Sequence, residues 1–359
     1  MKKKMVSLFL TACLLLSSSA LTVSASDYDP ASSQNAQYFF NGVNVDNQQV
    51  ARSNDADTMT ATSETILTRH SDGTVSETVY DYSQSAVMAR SGGQLNVSEY
   101  LPAASTISTF SSTADAYGRE ITSPTENRSG HLMCGYNSDA DADIEVYYYG
   151  TASLQNYDLL ISCAHCVWMP QYADLASDGW ASVLTFYAGR TGEYTYASTA
   201  NFTNVSVSQN YVDNTTYYLD ADGNPVVSPD YDWDWSIIQI DTNLGGTYGW
   251  FGLHGCGTAE DGLSIYTVGY PGDKDFGTQW TSSGEITDFD SNNIIHYDAF
   301  IYPGNSGGPL LNGGSVYGIA TFYAYNDSTP WLYSGGTRMY DGLFNMIVDA
   351  REASAARWE

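Results

Sequence analysis

A serine lies within a glycine-rich segment late in the chain, Gly304-Asn305-Ser306-Gly307-Gly308-Pro309. Glycines on both sides let backbone N–H groups surround the hydroxyl, which is how a nucleophilic serine is presented to a carbonyl group. Such a serine needs a general base and an acid that orients the base. His165, in Ser162-Cys163-Ala164-His165-Cys166, and Asp234, in Asp234-Trp235-Ser236-Ile237-Ile238, are the candidates. The combination predicts acyl transfer through Ser306.

The order of these residues along the chain restricts the class of hydrolase. The serine segment also fits the G-x-S-x-G turn of α/β-hydrolases, in which the catalytic histidine follows the serine. All histidines of this chain precede Ser306: His70, His131, His165, His254 and His296. The order histidine, aspartate, serine is that of chymotrypsin-like enzymes. Asp230 and Asp232 are alternative acids, but Ser236 and Ile238 follow Asp234 as the small and aliphatic residues that the motif expects.

Residues from about 118 to 350 resemble the bacterial glutamyl-endopeptidase branch of the chymotrypsin-like serine peptidases. The resemblance is carried by the segments 162–167, 234–238, 268–273 and 302–309, with Gly336-Thr337-Arg338 as a further match. It implies Ser306 as nucleophile, His165 as general base, Asp234 as the orienting acid, and the backbone N–H groups of Gly304 and Ser306 as the oxyanion hole. No cofactor or metal is implied.

Short runs of β-branched and aromatic residues recur between turns, and they predict an all-β domain. The predicted strands are 144–149, 159–162, 183–187, 205–207, 236–240, 265–268, 294–297 and 316–324. The resemblance implies two six-stranded antiparallel β-barrels, divided near residues 243–257, with the site in the cleft between them. Leu343, Met346, Ile347 and Ala350 show helical spacing, which predicts a C-terminal helix on the second barrel.

The chain departs from its relatives at the specificity pocket. The resemblance implies a pocket lined by Phe300, Ile301 and the segment 320–323, which is Ala320, Thr321, Phe322 and Tyr323. Glutamyl endopeptidases carry Gly-Ile-His where this chain has Gly318-Ile319-Ala320, so the histidine that would face a glutamate is missing. Burial of an unpaired carboxylate is costly. We therefore expect a shallow pocket that prefers small or medium uncharged side chains.

The N-terminal region has the features of an exported precursor. A basic start, an apolar run from Val6 to Leu16 and the small residues before position 26 predict a signal peptide over residues 1–25. A lipoprotein site at Cys13 is the alternative. The polar, core-poor residues 26–117 are predicted to be a propeptide of approximate end, and 118–359 the peptidase domain. Many relatives pair a new N-terminal amine with an aspartate before the serine, but here that residue is Asn305.

Four cysteines remain after signal removal, and an even number in an exported chain favours disulfides. Three pairings are possible, and we prefer Cys134 with Cys256 and place Cys163 close to Cys166. Relatives with a cysteine after the catalytic histidine usually pair it with one on an earlier strand. That partner, expected around residues 147–149, is missing here.

The net charge of −28, with 41 acidic residues, makes nucleic acid an improbable partner, because phosphate binding needs a basic face. The acidic clusters 139–143 and 220–224 could hold calcium, but neither completes a calcium loop. We predict a solvated loop and a hairpin turn at Asp222-Gly223 instead. The expected protein is a secreted monomer that acts on proteins or peptides and is not bound to a membrane after signal removal. The competing hypothesis is a catalytically silent protein of the same fold that serves in binding or adhesion.

Overall fold

The computed structural model of the chain describes residues 37–40, 43–45, 63–82, 114–137, 144–173, 178–221, 223, 225–255, 261–289, 293–326 and 329–358. The predicted signal peptide and the acidic cluster 139–143 lie outside these residues. Each strand predicted from the sequence is present. The strands up to the first barrel are β1 (Gln37–Phe40), β2 (Val43–Val45), β3 (Ser63–His70), β4 (Val75–Asp81) and β5 (Glu120–Ile121).

The first barrel contains six antiparallel strands. They are β6 (Ser129–Asn137), β7 (Ile144–Asn156), β8 (Leu159–Ser162), β9 (Val183–Ala188), β10 (Ser198–Ser208) and, after the β11 (Thr216–Leu219) and β12 (Pro225–Ser228) hairpin, β13 (Ser236–Ile240). Their order is β13-β8-β7-β6-β9-β10, and pairing of β10 with β13 closes the barrel. Strand β13 alternates buried and half-buried residues, as expected for a strand with one face on a core.

The second barrel repeats this arrangement. After β14 (Gly252–Leu253) it contains β15 (Ser264–Gly269), β16 (Trp280–Phe289), β17 (Ile294–Tyr297), β18 (Pro309–Asn312), β19 (Ser315–Asn326) and β20 (Thr329–Arg338). The order is β19-β18-β15-β16-β17-β20, and the β19–β20 pairing closes the sheet. The pairing confirms two closed six-stranded antiparallel barrels of the chymotrypsin type.

Within the residues that the structure describes, three α-helices connect or follow these strands: α1 (Gln209–Asn214), α2 (Gly245–Tyr248) and α3 (Asp341–Trp358). Helix α3 confirms the predicted C-terminal helix, but its position differs from the prediction. It packs on strands β7 and β8 of the first barrel, and Arg357 forms an ion pair with Asp158 in the turn between these strands. Helical spacing identifies an apolar face, but it does not identify the surface that the face covers. Among the helices in the described ranges, none is long and apolar enough to cross a membrane.

Part of the predicted propeptide segment is paired with the barrels. Strands β3 and β4 form a hairpin, and β3 pairs with β10 from Ile66 opposite Ser208 to His70 opposite Asn204. Strand β1 pairs with β19 at Ala324 and Tyr325. The hairpin therefore pairs with the part of β10 beyond its pairing with β9, where backbone groups on that side would otherwise be unpaired.

The hairpin β11–β12 forms where the sequence predicts a turn. Gly223 has φ +83, and its N–H donates to the carbonyl oxygen of Asp220 at 3.0 Å. Left-handed φ values cost glycine nothing, which explains this residue at the turn.

Candidate active site

A buried histidine–aspartate pair lies at one end of the first barrel. His165 belongs to a short 3-10 helix, Ala164–Cys166, that follows the fully buried strand β8. Asp234 directly precedes β13. Its Oδ2 accepts from Nδ1 of His165 at 2.6 Å, and its Oδ1 accepts from the backbone N–H of His165 at 2.9 Å. Two bonds to one carboxylate fix both the ring and the loop that carries it.

The neighbouring acids Asp230 and Asp232 accept hydrogen bonds from backbone N–H groups. Asp230 accepts from the backbone N–H of Asp232, and Asp232 accepts from the backbone N–H of Asn293. Of the three candidate acids, Asp234 is the one that accepts from the ring of His165 at 2.6 Å. Trp235, which is fully buried beside it, donates from Nε1 to the hydroxyl of Tyr340 at 3.0 Å and anchors the segment in the core.

The carboxylate of Asp234 stabilises a positive charge on the ring of His165. Burial is the largest single effect and lowers the pKa of His165, but the Asp234 carboxylate and Cys166 together outweigh it and raise this pKa above its ordinary value. A base whose protonated form is stabilised by a fixed carboxylate is suited to accept a proton from a neighbouring hydroxyl.

The serine segment forms a tight loop between β17 and β18. The side-chain oxygen of Asn305 accepts from the N–H of Tyr302 at 3.1 Å, and the N–H of Asn305 donates to the carbonyl of Tyr302 at 2.9 Å. Gly304 has φ +103, and a Cβ there would collide with the carbonyl oxygen of Tyr270. Gly304 therefore needs to be glycine for both conformational and steric reasons.

Backbone contacts bring the serine loop against the histidine loop. The carbonyl oxygen of Ser306 accepts from the N–H of Thr151 on β7 at 2.7 Å and lies 3.8 Å from Sγ of Cys166. The hydroxyl of Thr151 donates to the carbonyl of Gly304 at 2.8 Å. The sequence offers no motif that would identify Thr151, although this residue holds the serine loop against the first barrel.

The cysteines do not form the pairing that we expected. In the described part of the chain, Cys134, Cys163 and Cys166 are free, buried thiols, and Cys256 lies outside the described residues. Cys134 lies on β6 and is a buried thiol in the hydrophobic core, without a disulfide. The residue that faces Cys166 is Gly150, where a Cβ would lie 2.6 Å from Sγ, and not a residue of 147–149.

The predicted specificity residues divide between two clusters. Phe300 lies against Tyr323 and edge-on to Trp331, with ring centroids 6.1 and 5.4 Å apart. Phe322 instead packs on Tyr231, with centroids 4.4 Å apart, in a separate core cluster. Successive side chains of a strand point to opposite faces, so Phe322 and Tyr323 do not share one cavity.

The smaller predicted pocket residues are also buried. Ile301 and Ala320 belong to the core of the second barrel, and the Thr321 hydroxyl donates to the carbonyl oxygen of Gly335. The side chains of Ile301 and Ala320 therefore form part of the barrel wall, and the hydroxyl of Thr321 is hydrogen-bonded to the backbone.

Two residues that sequence analysis did not select lie next to Phe300. The ring of Tyr117 stacks on Phe300 with centroids 4.1 Å apart, and the Arg119 guanidinium lies 4.7 Å from the same ring. Arg119 donates from Nε to Asp115 and from both terminal nitrogens to Asp273. A cation is therefore present beside the predicted pocket, but two carboxylates already neutralise it.

The closed barrels, with this buried pair facing a glycine-rich serine loop, define the chymotrypsin-like class of peptidase folds. The trypsin-like peptidase domain family matches residues 150–319. The chain is 28% identical over 202 residues to the extracellular metalloprotease of Bacillus subtilis (strain 168). It is 26% identical over 203 residues to the glutamyl endopeptidase of Bacillus licheniformis.

These alignments cover 55% and 54% of this chain and 57% and 56% of the two relatives, so the chain spans little more than half of their length. A solved structure of Glu endopeptidase in complex with MPD is similar over 65% of this chain and 96% of its own, with 21% identity and a TM-score of 0.49. Residues 150–319 match the trypsin-like peptidase domain family, and the glutamyl endopeptidase relative supports the resemblance to the bacterial glutamyl-endopeptidase branch.

Proposed function

We propose that this protein is a secreted serine endopeptidase that hydrolyses peptide bonds through an acyl-enzyme on Ser306. The observation that carries the proposal is the buried pair of His165 and Asp234, held by two hydrogen bonds of 2.6 and 2.9 Å. The serine loop is bonded to Thr151 on β7, the strand that pairs with β8. A silent binding protein has no need of a fully buried carboxylate aligned on a histidine ring, because such a pair is costly to desolvate.

The roles follow from the chemistry of acyl transfer. Ser306 Oγ attacks the scissile carbonyl carbon while His165 takes the hydroxyl proton and later gives it to the leaving amine. Asp234 holds the tautomer that carries its proton on Nδ1 and stabilises the imidazolium. The N–H groups of Gly304 and Ser306 bind the oxyanion, and loss of one such donor typically costs about 2.7–4 kcal/mol of transition-state stabilisation.

Export and processing complete the proposal. The signal peptide over residues 1–25 directs secretion, and the propeptide, residues 26–117, is cut from the domain that begins near Gly118. Asn305 cannot form an ion pair with a new amine. Activation therefore does not use the contact that an aspartate makes at this position in many relatives. The side chain of Asn305 instead accepts from the N–H of Tyr302 and so closes the serine loop.

Specificity is proposed to favour small or medium uncharged side chains before the scissile bond. Phe300 and Tyr323 occupy volume in the predicted pocket, and apolar burial there gains about 25 cal/mol per Å². A second candidate is preference for glutamate, because the Arg119 guanidinium lies beside Phe300. We favour the first, since Asp115 and Asp273 already hold Arg119.

Cleavage-site profiling of the processed, secreted protein on a mixed peptide library tests both the proposed peptidase activity and the proposed specificity. We expect cleavage that is lost in Ser306→Ala, with small or uncharged residues before the cut bond. A wild-type protein without cleavage would support the silent binding protein. A profile dominated by glutamate would overturn the specificity. Loss of that preference in Arg119→Gln would then assign it to the second candidate.

A further inference from the structure

Three side chains around the proposed base bring potential metal ligands together. The Sγ atoms of Cys163 and Cys166 and a ring nitrogen of His165 all lie within 4.8 Å of one another. The three residues are buried, with at most 3% of their surface exposed, and both thiols are free. The sequence predicted that the two cysteines are close, but it gave no reason to expect the ring nitrogen in the same small volume.

The donor set fits a thiophilic divalent cation. Two thiolates and an imidazole are ligands that Zn²⁺ prefers, and Cys163 and Cys166 have the C-x₂-C spacing found in many zinc sites. With Zn–S bonds of about 2.3 Å, tetrahedral ligand sulfurs lie about 3.8 Å apart. Atoms already within 4.8 Å of one another need to move by about 1 Å at most to reach that geometry.

A carboxylate that would orient the histidine ligand is already bonded to its ring. A metal-bound histidine usually donates its other ring N–H to a carboxylate, which fixes the orientation of the ring. A carboxylate can only accept, so the 2.6 Å contact with Asp234 places the proton on Nδ1 of His165. Nε2 is then the nitrogen with a lone pair, and Asp234 orients it as the ligand.

We propose that Zn²⁺ or a similar thiophilic cation binds Sγ of Cys163, Sγ of Cys166 and Nε2 of His165, and that it inhibits the peptidase reaction. Binding releases the two thiol protons to solvent. Inhibition follows because the metal takes the lone pair that would accept the proton of Ser306. This consequence rests on the proposed function, whereas metal binding does not.

Cobalt binding tests the site without reference to activity. The reduced, full secreted protein is titrated with Co²⁺, and thiolate-to-cobalt charge-transfer absorption is recorded. We expect one equivalent to bind. Cys163→Ser and Cys166→Ser should each weaken binding by at least about 10-fold, in line with the size of ligand-sphere effects. Cys134→Ser is the matched control, since Cys134 is a buried thiol of the same barrel outside the cluster, and it should keep the absorption. Circular dichroism checks the fold of each variant.

The two proposals fail in different ways. Absence of the charge-transfer band in the reduced wild-type protein, or its persistence in the double variant of Cys163 and Cys166, would overturn the metal site. A Cys163–Cys166 disulfide that resists mild reduction would overturn it as well. Ser306→Ala should still bind Co²⁺, because the hydroxyl is not a ligand. If wild type binds Co²⁺ but cleaves no peptide, the metal site stands and the proposed function fails.

Discussion

The packing of the histidine loop against strand β7 can be tested at Gly150. A Cβ at this position would lie 3.8 Å from the Cβ of Cys166, which equals the mean separation in disulfides of about 3.8 Å. Gly150→Cys should therefore form a disulfide with Cys166. The close approach of 2.6 Å between the added Cβ and Sγ of Cys166 is then relieved by rotation of the cysteine side chain into the bond.

The size of the effect follows from the loop that the bond closes. Residues 150 and 166 are 166 − 150 = 16 positions apart, and a loop of about 15 residues gives about 3 kcal/mol in the chain-entropy description of disulfides. In a domain of this size, that corresponds to a rise in Tm of roughly 6–12 °C. The added Cβ also lies 3.1 Å from the carbonyl oxygen of Ser306, so part of this gain is lost to local adjustment.

Thermal unfolding with and without reducing agent measures the effect, and peptide mapping without reduction identifies the bond. The matched control is Gly150→Ala, which adds the Cβ without a bond and should lower Tm. Gly150→Cys in a Cys166→Ser background should be destabilised in the same way. If the alanine variant were as stable as the wild-type protein, or if no disulfide-linked peptide joining positions 150 and 166 were found, the packing described here would be wrong.

Three further predictions concern the acid, the oxyanion hole and the N-terminal hairpin. Asp234→Asn should lower kcat by about 10⁴-fold with little effect on KM, because the ring of His165 loses its fixed tautomer; a change below tenfold would refute the role. Gly304→Ala should lower both peptidase activity and Tm, because its Cβ collides with a backbone carbonyl; an unchanged Tm would contradict the loop geometry. Burial raises the pKa of Glu64, although hydrogen bonds from side chains including Tyr82 oppose this effect. Ionisation of this carboxyl therefore lowers the stability of the folded protein as the pH rises from 4.5 through the pKa of the folded state. Glu64→Gln should raise Tm at neutral pH and not in acid below 4.5; an equal change at both would exclude the carboxyl as the cause.

The barrel strands could be predicted from the sequence, and the candidate catalytic residues could be selected from it, because their signals are local. A serine among glycines, and a histidine and an aspartate in the right order, need no knowledge of the fold. Strands with β-branched and aromatic residues between turns are similarly visible, and the two closed barrels agree with that pattern.

The features that were missed depend on contacts between distant segments. The sequence of the β3–β4 hairpin is polar and predicts a segment with little core of its own. In the structure, β3 pairs with β10, and the hydroxyls of Tyr82 and Tyr340 donate to the buried carboxylate of Glu64. The partner of helix α3 is likewise set by tertiary contacts. By contrast, strand alternation could have shown that Phe322 and Tyr323 point to opposite faces.

Covalent labelling of Ser306 is the most direct test of the central claim, that this hydroxyl is a nucleophile activated by His165. The processed, secreted protein is treated with a serine-directed fluorophosphonate, and the adduct is assigned by intact mass and peptide mapping. We predict an adduct on Ser306 that disappears in Ser306→Ala and forms much more slowly in His165→Ala. Peptide hydrolysis that persists unchanged in Ser306→Ala, or an adduct on a different residue of a protein that cleaves peptides, would contradict the claim.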